Sequence, residues 1–174
     1  MIPTTTALIL VDLENEWINK DSDYFIGNIN NLIKNTNQLI DHCRKNKYKI
    51  IFITHIEKGS TTAFAPNSKN IEILREIHKK KEDIFITKNK ISPFYKTNLE
   101  HELQGIKEMV ISGILTNLCV RSLAQDAYDR DYKITIIKDC CQAFNQETHE
   151  FTLKDLKATR EEIEIVNSKE FIKK

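Results

Sequence analysis

Hydrophobic positions along this chain follow two rhythms. "TALILVD" (Thr6 to Asp12) is an unbroken apolar run closed by a carboxylate, the pattern of a strand covered on both faces. "YKIIFITH" (Tyr48 to His55) repeats that form, "FIT" (Phe85 to Thr87) belongs to a third strand, and "KEMVIS", "KITIIKD" and "EIEIV" (Glu162 to Val166) supply three more. Between the first two strands the period changes. Ile29, Leu32, Ile33, Leu39, Ile40 and Cys43 recur at helical spacing, which predicts an amphipathic helix. "NIEILREIHKKK" reads as a short helix, and Thr97 to Leu103 as another, with Thr97 or Asn98 as N-cap and Gly105 as its stop. "NLCVRSLAQDAYDRD" follows the fourth strand as a helix, and a further one lies near "ETHEFTLKDLKAT". "IEKGSTTAFAPNSKN", with its Gly, Pro, Ser and Asn, is a long loop.

Strands alternating with helices predict a three-layer α/β/α, Rossmann-like domain with a mostly parallel sheet of about six strands. The 174 residues are expected to form one domain, 1–174. Lys plus Arg (26) nearly balances Asp plus Glu (25), so no overall field favours nucleic acid or an anionic membrane. No apolar stretch approaches the roughly 20 residues of a membrane span, and the N-terminus lacks the features of a signal peptide. A cytoplasmic location is the expectation. The four cysteines, Cys43, Cys119, Cys140 and Cys141, are too few and too irregular for a disulfide scaffold and read as free thiols.

In open α/β sheets, ligands bind outside the carboxyl ends of the strands. That rule selects Asp12 after the first strand, His55 at the end of the second, Lys88 after the third, Cys119 after the fourth and Asp139 after the fifth. An acid, an amine and a thiol at one sheet edge form the inventory of a nucleophilic site. None of the four glycines builds G-x-G-x-x-G or a phosphate-cradling loop, which argues against a nucleotide enzyme. Near a helix N-terminus Cys119 would feel the positive end of the dipole, and its thiol pKa is expected to fall. Position alone also allows a bland role for it, as a small apolar residue filling a tight corner.

Three blocks carry a resemblance that separates these readings: "ALILVDLENEW" (Ala7 to Trp17), "TKNKISPFYKTNLEHEL" (Thr87 to Leu103) and "VISGILTNLCVRSLAQDAYDRDYKITIIKDCCQAF". In order and spacing they resemble the isochorismatase-like cysteine hydrolase superfamily, which includes nicotinamidases and N-carbamoylsarcosine amidases. The resemblance implies a catalytic triad of Asp12 as general base, Lys88 as the cation that orients the pair, and Cys119 as nucleophile. It implies a cis peptide between Ile114 and Leu115, with the backbone N–H groups of Leu115 and Cys119 forming an oxyanion hole. The expected reaction is hydrolysis of a small amide or carbamoyl C–N bond through a thioester, without a cofactor, in a homodimer or homotetramer. Vinyl-ether hydrolysis of the isochorismatase type, and a catalytically silent binding domain of the same fold, are the alternatives.

Several positions depart from the family pattern. Glu14 stands where Gln is usual, a second carboxylate close to Asp12 that either shifts a pKa or pairs with a cation; Glu16 replaces an Asp, and Trp17 a Phe. The loop after the second strand offers His55 but no second histidine, so the metal site of nicotinamidases is not expected. Candidate substrate contacts are Trp17, His55, Phe64 and Phe94. Trp17 serves as a stacking wall or as packing, His55 as a strand-end hydrogen-bonding group or a substrate contact, and Phe64 as a stacking ring or a core cover. His42, His78, His101 and His149 read as surface or packing residues, and Cys140 and Cys141 as packing near the pocket rim. Asp131 replaces the family's helix-ending glycine, a position where Asp tolerates the left-handed conformation.

Overall fold

Alternate residues of the apolar runs go to opposite faces of one sheet. The computed structural model describes residues 4–173. Its strands are β1 (Thr6–Val11), β2 (Lys49–His55), β3 (Ile84–Lys88), β4 (Glu108–Ile114), β5 (Lys133–Gln142) and β6 (Glu164–Val166). Ala7, Ile9 and Val11 of β1 enter one core, while Leu8 and Leu10 enter the other. A sheet apolar on both faces must be covered on both, since each exposed Leu or Ile would forgo about 1.5–3 kcal/mol. Helices α3 (Arg121–Tyr128) and α4 (Gln146–Thr159) cover the first face through Leu123, Ala127, Leu153 and Leu156. Helix α1 (Asn30–Lys45) covers the second through Leu39, Ile40 and Cys43, joined by Phe171 of α5 (Ser168–Lys173). The short α2 (Leu99–Glu102) precedes β4.

The strand order is β3-β2-β1-β4-β5-β6, and every pairing is parallel. The chain runs outward from β1 to β3, then returns to place β4 on the other side of β1. That reversal opens a crevice at the carboxyl ends of β1 and β4. Gly113 makes the approach of these two strands possible: it adopts φ +132, and a Cβ there would lie 2.0 Å from the Val11 carbonyl oxygen.

Three local expectations are corrected. The segment read as a helix from "NIEILREIHKKK" holds only a 3-10 turn, Lys69–Ile71. Its backbone instead serves the chain after β1, with Leu74 N–H donating to Leu13 O at 2.9 Å and Asn15 N–H to Glu72 O at 3.0 Å. Leu74 and Ile77 still reach the core, so the apolar spacing marked burial and not a helix. Second, β5 runs on to Gln142, so Asp139, Cys140 and Cys141 lie within it. Extra residues of β5 between Ile136 and Cys141 interrupt the register with β4. The Asp139 carboxylate is turned away to accept from Ser168 N–H, Ser168 Oγ and Asn35 Nδ2, tying α5 to α1. It is therefore no part of the strand-end cluster. Third, Asn98 precedes α2 without a side-chain cap, while Thr97 Oγ1 accepts from Leu99 N–H at 3.2 Å. Gly105 (φ +81) and Asp131 (φ 62) take the left-handed conformation their helix-ending positions require. No helix among the described residues is long and apolar enough to cross a membrane.

Candidate active site

Asp12, Lys88 and Cys119 meet at the crevice. Asp12 directly follows β1; its φ of 51 turns the chain while its N–H still donates to Ile53 O at 2.9 Å. Trp17 Nε1 donates to the Asp12 carbonyl at 2.6 Å and fixes that turn from the other side. Lys88, the last residue of β3, extends beneath the sheet edge and is only 2% exposed. Its Nζ lies 2.8 Å from Asp12 Oδ2, 3.3 Å from Cys119 Sγ and 3.3 Å from His55 Nδ1.

Cys119 does not stand in the first turn of a regular α-helix. After the cis peptide between Ile114 and Leu115, residues Thr116–Val120 form a π-helical turn that precedes α3. Thr116 is buried there, and its Oγ1 pairs with His149 Nδ1 of α4 at 2.8 Å. His149, expected at the surface or in packing, is thus a support of the turn that carries the thiol. Its spacing in the sequence held no signal, because the contact spans two elements.

The ionisation of the cluster differs from expectation in one respect. Burial, and then the Asp12 carboxylate, push the Cys119 thiol up to about 12, and the opposing Lys88 ammonium does not outweigh them. The resting group is a thiol, and the lowering expected from a helix dipole is not found. Burial alone would push the Lys88 ammonium down, yet Asp12 and then Cys119 reverse this, so Lys88 stays protonated. Burial and then Lys88 hold His55 below its ordinary value, as a neutral imidazole. Glu14 is fully buried; burial first and Asp12 second hold its carboxyl well above the usual range, against a hydrogen bond from His55 N–H at 3.0 Å. Of the two outcomes the sequence left open for Glu14, its burial beside Asp12 favours the shifted pKa.

A cavity of about 170 Å³ lies over Cys119. Trp17, Phe64 and His55 line it, and Leu115 forms part of its floor. Trp17 and Phe64 meet edge to face at 5.2 Å, and His55 and Phe64 do likewise at 5.2 Å, so the rings both pack and form the wall. Glu16, also buried, accepts from Phe64 N–H at 3.1 Å and pins that wall. Phe94 is not in the cavity. It packs against the core beside α3, with the Arg130 guanidinium 4.2 Å over its ring, and Ile91 stands at the rim. Tyr24, Ile91, Leu118 and Phe144 complete the rim while each remains 41–51% exposed. Nothing in the chain's pattern singles them out, apart from the position of Phe144 at the end of the third block. A larger open groove of about 620 Å³ along α4 and β5 contains none of the three clustered residues.

The residues after β2 do not suit a metal. His55 directs Nδ1 to the Lys88 ammonium, a poor neighbour for a cation. Among the described residues no group of three or more His, Cys, Asp or Glu could hold a metal ion.

The isochorismatase domain matches residues 6–165. An uncharacterized isochorismatase family protein of Bacillus subtilis, YaaI, is 31% identical over 156 residues, covering 84% of this chain and 86% of its own length. Nicotinamidase 3 of Arabidopsis thaliana is 28% identical over 165 residues, covering 86% and 79%. The structure of the nicotinamidase PncA from Bacillus subtilis superposes with a TM-score of 0.83 at 21% identity, covering 94% of this chain and all of the other; at that identity the likeness speaks for the fold. A match that runs from β1 to β6 leaves one conclusion: the chain belongs to the isochorismatase family of hydrolases.

Proposed function

We propose that the protein is a cysteine amidohydrolase that cleaves the C–N bond of a small amide or carbamoyl compound. One observation carries this reading: a buried ammonium stands 2.8 Å from a carboxylate and 3.3 Å from a thiol at the floor of an aromatic cavity. In the proposed reaction Asp12 takes the Cys119 proton as sulfur adds to the amide carbon. The raised thiol pKa favours such concerted removal over a standing thiolate. The N–H groups of Leu115 and Cys119 receive the oxyanion. Asp12 returns the proton to the departing nitrogen, leaving a thioester. Water, deprotonated by Asp12, adds to the thioester, and the sulfur leaves and regains a proton as the acid is released. Lys88 holds both partners in place throughout and stays charged.

The relation to a plant nicotinamidase supports an amide substrate. Vinyl-ether hydrolysis would leave the thiol without a task. Assembly as a dimer or tetramer, and a cytoplasmic site of action, belong to the same proposal. The test is ammonia release from a panel of small amides, repeated with Cys119→Ala. Release abolished by the substitution, together with loss of alkylation by iodoacetamide, is the expected result. Release that continues undiminished without the thiol refutes the reading.

A further inference from the structure

The walls of the cavity bear on which amides can enter. The cavity of about 170 Å³ lies below the roughly 300–1,000 Å³ of drug-sized sites. The part of a substrate held over Cys119 is therefore compact, while the exposed rim of Tyr24, Ile91, Leu118 and Phe144 leaves the cavity open on that side. Four aromatic residues surround it, Trp17, Tyr24, Phe64 and Phe144, linked by edge-to-face contacts of 5.1–6.3 Å. Their ring faces carry the negative side of the quadrupole.

The charges on the wall point the same way. Among the described residues, no Lys or Arg lines the cavity. The nearby Lys88 ammonium is committed to Asp12 at 2.8 Å. His55, the one basic group of the lining, accepts from that ammonium at Nδ1, so its proton is on Nε2, which faces Glu57 Oε2 at 3.7 Å. Glu57 is thus the uncompensated charge of the wall. Its backbone N–H donates to Phe64 O at 2.9 Å, which sets the residue beside the aromatic wall. Its side chain is 62% exposed, so solvent screens it and its influence is moderate.

We propose that Glu57, with the aromatic rings, makes this a site for compact amides carrying a positive charge, ranks neutral isosteres below them, and rejects amides that carry a carboxylate. This rests on the amidase reading and narrows it, since carbamoyl amino acids and other ureido acids become poor substrates. Anionic vinyl ethers are disfavoured by the same wall.

Three short amides test the ranking: trimethylammonioacetamide (cation), 3,3-dimethylbutanamide (its neutral isostere) and succinamate (anion). Trp17 is the chain's single tryptophan and lines the cavity, so quenching of its fluorescence reports binding without turnover. Titrations use the Cys119→Ala protein. The expected order is cation about tenfold tighter than neutral, and anion at least tenfold weaker than neutral. Glu57→Gln is expected to reduce the cation preference to about threefold or less, and Glu57→Lys to admit succinamate. Equal binding of all three, no quenching by any of them at millimolar concentration, or ratios unchanged by Glu57→Gln would overturn the proposal. Ammonia release by the active protein is a separate readout. Its absence with the binding order intact removes the amidase reading and leaves the charge selection standing.

Discussion

Replacing Glu14 with Gln isolates a buried carboxyl that keeps its proton. The carboxyl is fully buried, with Oε2 accepting the His55 N–H at 3.0 Å and Oε1 lacking a hydrogen-bond partner. Burial, then Asp12, raise its pKa well above 4.5. Below pH 4.5 the folded and unfolded chains both hold this proton, and its contribution to stability is fully present. Above pH 4.5 the unfolded chain releases it while the folded chain keeps it, so stability is lost as pH rises until the folded pKa is passed. Within that window the loss approaches a factor of ten in the folding equilibrium constant per pH unit. With a urea m-value of about 2 kcal/mol/M for a chain this size, that is a midpoint shift of roughly 0.7 M per unit. Gln keeps an oxygen for the His55 N–H and cannot ionise. Urea titrations of wild type and Glu14→Gln at half-unit steps from pH 4 to pH 8 should give midpoints that diverge with rising pH, the variant being the more stable. Parallel midpoints across the range would refute the assignment of a raised Glu14 pKa.

Two further outcomes follow from the site. Lys88→Met leaves the buried Asp12 carboxylate unpaired and should destabilise the fold by about 3–5 kcal/mol. The double variant with Asp12→Asn should recover part of that loss, which a double-mutant cycle of denaturation midpoints would show; strict additivity would contradict it. Gly113→Ala drives a methyl to 2.0 Å from the Val11 carbonyl oxygen, at a φ of +132. It should cost about 3 kcal/mol or more. Because β1 must move and Asp12 with it, ammonia release should fall even at temperatures where the variant stays folded, as followed by circular dichroism.

The layers of the fold were legible in the sequence. Unbroken apolar runs such as "ALILV" have one stable use in a chain of this length, a strand covered on both sides, and the alternation with helices then dictates parallel pairing. The strand-end rule brought Asp12, Lys88 and Cys119 to one edge from position alone, and the resemblance gave them roles. Where an element's form depends on a distant partner, the sequence misled. Leu74 and Ile77 kept their burial without a helix, since Leu13 and Asn15 satisfied their segment's backbone. Phe94 belonged to a matched block, yet Arg130 and the core hold it outside the cavity.

By itself, then, the sequence determined where the strands and the covering helices lie, and which thiol, acid and amine could meet, because those follow from local period and from order along the chain. The protonation of that site was decided only by the tertiary structure. Whether Cys119 is a thiol, His55 is neutral and Glu14 keeps its proton depends on burial and on charges a few ångströms away across other strands. Those are properties of packing, and no single segment carries them.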